Sequence, residues 1–225
     1  LSNEYWLNRW RNGQTGWHQT EVEPALIQWF SGRPKARIFV PLCGKSLDLK
    51  WLMDEGHEVV GCELSREACE GFLKENALDF TVSQSGKFTV YRGPSLTLFN
   101  GDIFDLVSET VGKIDAIYDR AALIALSANE RAKYSNHLMN QVLPATLSPT
   151  FEWLQIILTR SPTDLSGPPF SVTFEEVRSL YGGTFKVALV SREKIEMTES
   201  AESTTEECVY LLRPGSVVNP RPACK

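Results

Sequence analysis

Several short stretches of this 225-residue chain place polar or conformationally special residues where binding chemistry needs them. The apolar run Ile38-Phe39-Val40 feeds Pro41-Leu42-Cys43-Gly44-Lys45-Ser46, a turn whose glycine lets a ligand approach the backbone without meeting a side chain. Glu63 ends the next apolar run, about 20 positions after Leu42, the distance at which the acidic residue of a nucleotide-binding strand-helix-strand unit accepts from ribose hydroxyls. A carboxylate has two oxygens for two hydroxyl donors. Gly44 stands alone, however, and the absence of Gly-x-Gly-x-x-Gly argues against a pyrophosphate seated on the helix N-terminus. A nucleoside cofactor without phosphates suits this turn better, and S-adenosylmethionine is the obvious one. The plain alternative is that Gly44 only makes a tight turn and Glu63 only caps the next helix.

Asp102 and Ile103 follow the apolar run 96–99 in Asn100-Gly101-Asp102-Ile103-Phe104. The carboxylate there can accept from an adenine amino group while Ile103 offers an apolar face, or Asp102 can simply cap a short turn. Arg120 ends an apolar strand, a place where a guanidinium is normally avoided, so an anion is expected to meet it. That anion is a cofactor carboxylate, an anionic acceptor, or Asp119 or Asp102 in an internal ion pair. Trp6 and Trp10 share one helical face, where aromatic residues most often serve as core packing.

The elements that must hold these residues follow from periodicity. Helices are expected over 4–11, over 24–30 with Leu26, Ile27 and Phe30 inward, over 47–55, from the cap Ser65 to about Asn76, over 129–142 and over 173–181. Strands are expected over 37–40, 58–62, 96–99, 114–118 and 151–158, with 185–191 and 208–212 pairing antiparallel. The first strand-helix-strand unit must be parallel with a right-handed crossover, and such sheets bind ligands beyond the carboxyl ends of their strands. The fold class is therefore α/β, a doubly wound, mostly parallel sheet with an antiparallel C-terminal hairpin and N-terminal helices over the cofactor site. One domain is expected over 1–213, with a polar, mobile hairpin loop over 193–207 and a loose tail over 214–225. The N-terminal helix, followed by Gly13 and Gly16, is expected to move as a lid.

Composition narrows the class. A net charge of -5 and a pI near 5.4 exclude a general nucleic-acid binder. The longest apolar runs, 38–43 and 121–126, fall far short of the roughly 20 residues a membrane span requires. Five cysteines without a Cys-x-x-Cys pair, and no basic and apolar leader at the start, point to reduced thiols in the cytoplasm. His18, His57 and His137 are too scattered for a metal site, so no metal is expected. Without a heptad pattern, a monomer is the default.

Taken together, Val40-Pro41-Leu42-Cys43-Gly44-Lys45-Ser46, Val59-Val60-Gly61-Cys62-Glu63-Leu64-Ser65, Tyr118-Asp119-Arg120-Ala121-Ala122-Leu123-Ile124-Ala125-Leu126 and Gly167-Pro168-Pro169-Phe170 resemble the thiopurine S-methyltransferase family, whose fold is the Rossmann-like class I methyltransferase fold. Trp6, Trp10 and Gly16-Trp17-His18-Gln19 resemble the family's opening helix and loop, so the likeness runs to about Leu212. The resemblance implies transfer of a methyl group from S-adenosylmethionine, leaving S-adenosylhomocysteine, to a small thiol or selenol acceptor. It implies cofactor contacts at Trp10, Leu42, Gly44, Glu63, Leu64, Asp102, Ile103 and Arg120, and acceptor contacts at Trp17, His18, Arg120, Pro168, Pro169 and Phe170. Arg120 is expected to favour the acceptor anion while Asp119 orients Arg120, and the aromatic and proline residues exclude water.

Two departures bear on the acceptor pocket. Trp17 stands where members commonly carry Phe, and Thr159-Arg160-Ser161 replaces a more usual tyrosine-aspartate pair, adding Arg160 as a cation that favours an anionic acceptor or sits in solvent. The rival readings are a halide, selenium or tellurium methyltransferase of the same fold, a nicotinamide-dependent dehydrogenase lacking its glycine fingerprint, and a non-catalytic binding protein.

Overall fold

The computed structural model describes residues 2–144, 147–161, 166–196 and 203–215. Helix α1 (Asn3–Arg11) starts where the Ser2 hydroxyl accepts from the Tyr5 amide, and it buries none of its residues. Helix α2 (Pro24–Phe30) opens with proline, whose missing N–H costs nothing in a first turn. Leu26 and Phe30 of α2 are buried, but Ile27 is 39% exposed, which corrects its inward assignment. Over so short a helix, positions 26 and 30 share the inner face while 27 turns about 100° from 26 toward solvent.

Strand β1 (Arg37–Pro41), helix α3 (Leu47–Asp54), strand β2 (Glu58–Glu63) and helix α4 (Arg66–Glu75) form the expected parallel unit. Ser46 and Ser65 cap the two helices by accepting from the Asp48 and Ala68 amides. An antiparallel hairpin of β3 (Thr81–Ser85) and β4 (Phe88–Gly93) then leads into β5 (Leu96–Asn100). That hairpin leaves little mark in the sequence, because β3 is polar and almost wholly exposed and lacks a period-2 signal. Its trace was Ser85-Gly86-Lys87, a tight turn with Gly86 at φ 56°.

Helix α5 (Ser108–Val111), strand β6 (Ala116–Arg120), helices α6 (Ala122–Ala125) and α7 (Ala128–His137), and strand β7 (Glu152–Ser161) follow. Strand β6 lies two residues later than expected, and the expected helix over 129–142 is α-helical to His137 and then passes into a π-helical turn from Leu138 to Val142. After helix α8 (Phe174–Tyr181), β8 (Phe185–Ile195) and β9 (Thr204–Pro214) pair antiparallel. Much of the polar stretch 193–207 is therefore strand and not loop: cross-strand pairing to β7 and β8 satisfies its backbone whatever its side chains. The tip of that loop, and the tail beyond 215, lie outside the described residues.

The nine strands form one sheet in the order β3-β4-β5-β2-β1-β6-β7-β9-β8. Strands β5, β2, β1, β6 and β7 are parallel. Side chains alternate between faces, so Phe39, Val60, Ile117 and Trp153 build one apolar layer while Ile38, Val59, Tyr118 and Leu154 build the other. From β1 the chain winds outward through β2 to β5, then returns to β6 on the other side. That reversal opens a crevice between the carboxyl ends of β1 and β6.

Candidate active site

The crevice holds a cavity of about 540 Å3. Its walls come from α1, the turns after β1, β2, β5 and β6, and the Pro168-Pro169 loop. At one end Leu42 and Gly44 adopt positive φ of 46° and 55°. A Cβ on Gly44 would stand 3.3 Å from Trp10 Cζ2, so the glycine is what allows α1 to lie against the turn. Glu63 accepts from the Gly44 amide at 2.8 Å and from the Ser65 amide at 2.7 Å, and it also faces the cavity. One carboxylate thus ties the two turns together and lines the cavity, while the cap of the next helix is Ser65. Burial pushes the Glu63 carboxyl up from its ordinary value, and the amides of Ser65, Gly44 and Leu64 pull it back.

Asn100 Nδ2 fixes the same turn by donating to the Glu63 and Leu64 carbonyls at 3.0 and 2.9 Å. Asp102 caps the short turn after β5 by accepting from Phe104 N at 3.0 Å, and its second oxygen accepts from Asn3 Nδ2 at 2.7 Å, tying α1 to the cavity. Ile103 and Leu64 add apolar walls. The first turn of α3 holds no open anion seat, because the Asp48 amide is taken by the Ser46 hydroxyl and the Asp48 carboxylate stands there. This set of acceptors fits a nucleoside bearing a sugar diol and a base, and it does not fit a pyrophosphate.

At the other end stands Arg120, whose partner is neither Asp119 nor Asp102. Its Nε donates to Asp48 Oδ2 at 3.2 Å, and the same oxygen accepts from Tyr118 Oη at 2.8 Å. Asp48 Oδ1 accepts from the Glu23 amide at 2.9 Å. Asp119 cannot orient Arg120, because neighbours on a strand point to opposite faces. Its carboxylate accepts from Tyr134 Oη at 2.8 Å on the far side of the sheet, and it is absent from the cavity wall. Burial lifts the Asp119 carboxyl to about 6 despite the hydrogen bond from Tyr134.

Trp17 packs edge-on to Trp6 and Trp10 with centroids 5.4 and 5.8 Å apart, and the Arg9 guanidinium lies 5.1 Å from its ring. His18 lines the cavity, and burial, then Lys45, lowers its basicity. Pro168 and Pro169 face inward. Phe170 is not part of the wall: its ring lies under Gly167 and its amide donates to Ile124 O at 2.7 Å, so it supports the loop from behind. Arg160 is neither a rim cation nor solvated. It is 3% exposed, and Nη1 donates to Ser166 O at 3.0 Å and to Pro169 O, bracing the proline loop from below.

Sequence reasoning missed Asp48, Tyr118 and Glu207 as cavity residues. In sequence Asp48 is an ordinary acidic residue of a helix first turn. Glu207 sat in an acidic stretch with nothing to single it out.

The thiopurine S-methyltransferase family model matches residues 1–214. The chain belongs to that family. A thiopurine S-methyltransferase from Bordetella petrii is 41% identical over 195 residues, covering 85% of this chain and 87% of that protein. Among solved structures, the Burkholderia thailandensis 1,6-didemethyltoxoflavin-N1-methyltransferase with bound 1,6-didemethyltoxoflavin and S-adenosylhomocysteine aligns with a TM-score of 0.63 at 14% identity, covering 95% of this chain and 87% of that one. TehB from Haemophilus influenzae aligns at 0.62 with 10% identity, over 88% of this chain and 64% of that one. The fold is that of class I S-adenosylmethionine-dependent methyltransferases, and this methyltransferase uses S-adenosylmethionine as its donor. A dehydrogenase reading is set aside.

Proposed function

We propose that this methyltransferase acts on the sulfur or selenium of a small thiol or selenol. The observation that carries the reading is Arg120, a cation anchored by buried Asp48 in the cavity wall, which also includes Ile156, Leu158 and Trp17. Bound S-adenosylmethionine supplies a methyl group already activated on a sulfonium, so the chain has mainly to align the partners. Glu63 would hold the ribose hydroxyls, Leu64 and Ile103 the faces of the adenine, Asp102 its amino group, and Trp10, Leu42 and Gly44 the neighbouring edge. Arg120 favours the anion, which is the nucleophilic form of a thiol. Trp17, Pro168 and Pro169 keep water from the accepting atom. Membership of the family supports a small-molecule acceptor. The same reading has one catalytic domain over 1–213 working as a monomer in the cytoplasm, with its net charge of -5 turning nucleic acid away.

A panel of thiols, selenols, iodide, alcohols and amines with isotopically labelled donor, read by mass spectrometry, tests this. Label on sulfur and selenium is expected, lost on Arg120→Ala most steeply below the acceptor's own pKa. Label only on iodide, oxygen or nitrogen overturns it.

A further inference from the structure

Five acidic residues line the cavity, and four are committed. Asp48 accepts from Glu23, Tyr118 and Arg120; Glu63 from Gly44 and Ser65; Asp102 from Asn3 and Phe104; Glu130 from Ser127. The fifth, Glu207 of β9, has no hydrogen bond or ion pair among the described residues; only burial and through-space charge act on it. Its position is fixed by register. Arg120 pairs with Ile156, Ile156 with Val209, and Leu158 with Glu207, so Arg120 and Glu207 flank a floor made by Ile156 and Leu158 on one face of the sheet. A cation and an uncommitted carboxylate thus stand on either side of an apolar patch at the acceptor end.

We propose that Glu207 is the general base that removes the proton of acceptors whose sulfur is not already ionised, namely aliphatic thiols. The inference rests on sulfur being the accepting atom. The S–H bond breaks and its proton passes to a Glu207 carboxylate oxygen. The electron pair stays on the acceptor sulfur and forms the new S–CH3 bond, while the pair of the broken donor bond leaves with S-adenosylhomocysteine. The proton then passes to water at the cavity mouth. Burial, Glu23 ahead of α2 and Glu193 on β8 raise the Glu207 carboxyl, and Arg120 on β6 opposes them, leaving it at about 7. A base is most effective when its pKa lies near the working pH. His18, the other base in the wall, is displaced below its ordinary 6.5 and is the weaker of the two.

The test compares kcat/KM for 2-mercaptoethanol, un-ionised at neutral pH, with that for a nitro-substituted thiophenol, which is already a thiolate. Glu207→Gln is expected to lose about 100-fold on the aliphatic thiol and less than about 5-fold on the thiophenol. The wild-type aliphatic profile should rise through about pH 7, that limb should vanish in Glu207→Gln, and Glu207→Asp should recover part of the rate. Independently of turnover, the infrared band of a protonated carboxyl should appear as pH falls through about 7 and be missing in Glu207→Gln. Equal losses on both thiols, or a Glu207 carboxyl titrating in the ordinary carboxylate range, overturns the proposal. A wild type that methylates neither thiol strikes the sulfur reading itself and takes the proposal with it.

Discussion

Asp48 Oδ2 lies 2.8 Å from Tyr118 Oη and 3.2 Å from Arg120 Nε, so one helix first-turn carboxylate fixes two successive inward residues of β6. Asp48 is 1% exposed, which leaves a guanidinium beside the cavity without an exposed counter-ion. The attraction is strong in so dry a place, and so is the dependence of each partner on the other.

Asp48→Ala should therefore act twice. It strands the Arg120 charge and frees the Glu23 amide, which predicts a stability loss of about 3 kcal/mol in urea unfolding. Arg120 also loses its anchor, so kcat/KM for a thiol should fall by more than the cofactor affinity read by calorimetry.

Gly44→Ala tests the turn. Its φ of 55° and the 3.3 Å approach to Trp10 Cζ2 mean that a methyl group strains the backbone and pushes α1 outward. A strain of about 1–2 kcal/mol in αL predicts roughly a tenfold weaker S-adenosylmethionine titration by calorimetry.

Arg160→Ala removes the brace beneath Ser166 and Pro169. Two charge-assisted donors to backbone carbonyls are lost, each of the kind that contributes about 1.5–3 kcal/mol. The thiol KM should rise several-fold while calorimetric cofactor affinity holds, because the brace supports the proline loop of the acceptor wall.

Asp119 gives a pH signature. Its carboxyl titrates near 6 in the folded protein against an ordinary 3.8, so between those values the native state holds a proton that the unfolded chain has lost. Stability from this group is therefore highest below about 4 and declines as pH rises toward 6. Asp119→Asn, which keeps an acceptor for Tyr134, should flatten that decline in urea midpoints measured across the same interval. An unchanged slope would mean that Asp119 ionises as freely folded as unfolded.

The order of residues alone carries the strand-turn-helix frame, because short apolar runs closed by Gly44, Gly56 and the capping residues Ser46 and Ser65 are local facts. It also singled out Glu63 and Arg120, since an acidic strand end and a guanidinium after an apolar strand are anomalies in one dimension. The partners are fixed by the packing of distant segments. That Arg120 meets Asp48 and not its neighbour Asp119 follows from alternation across β6 and from where α3 crosses the sheet. Arg160 became an internal brace and Glu207 an uncommitted cavity carboxylate because β7 and β9 pair in one particular register. Charge and residue type are written along the chain, but burial and partnership are set by contacts between segments far apart in it. Those contacts have no local signature.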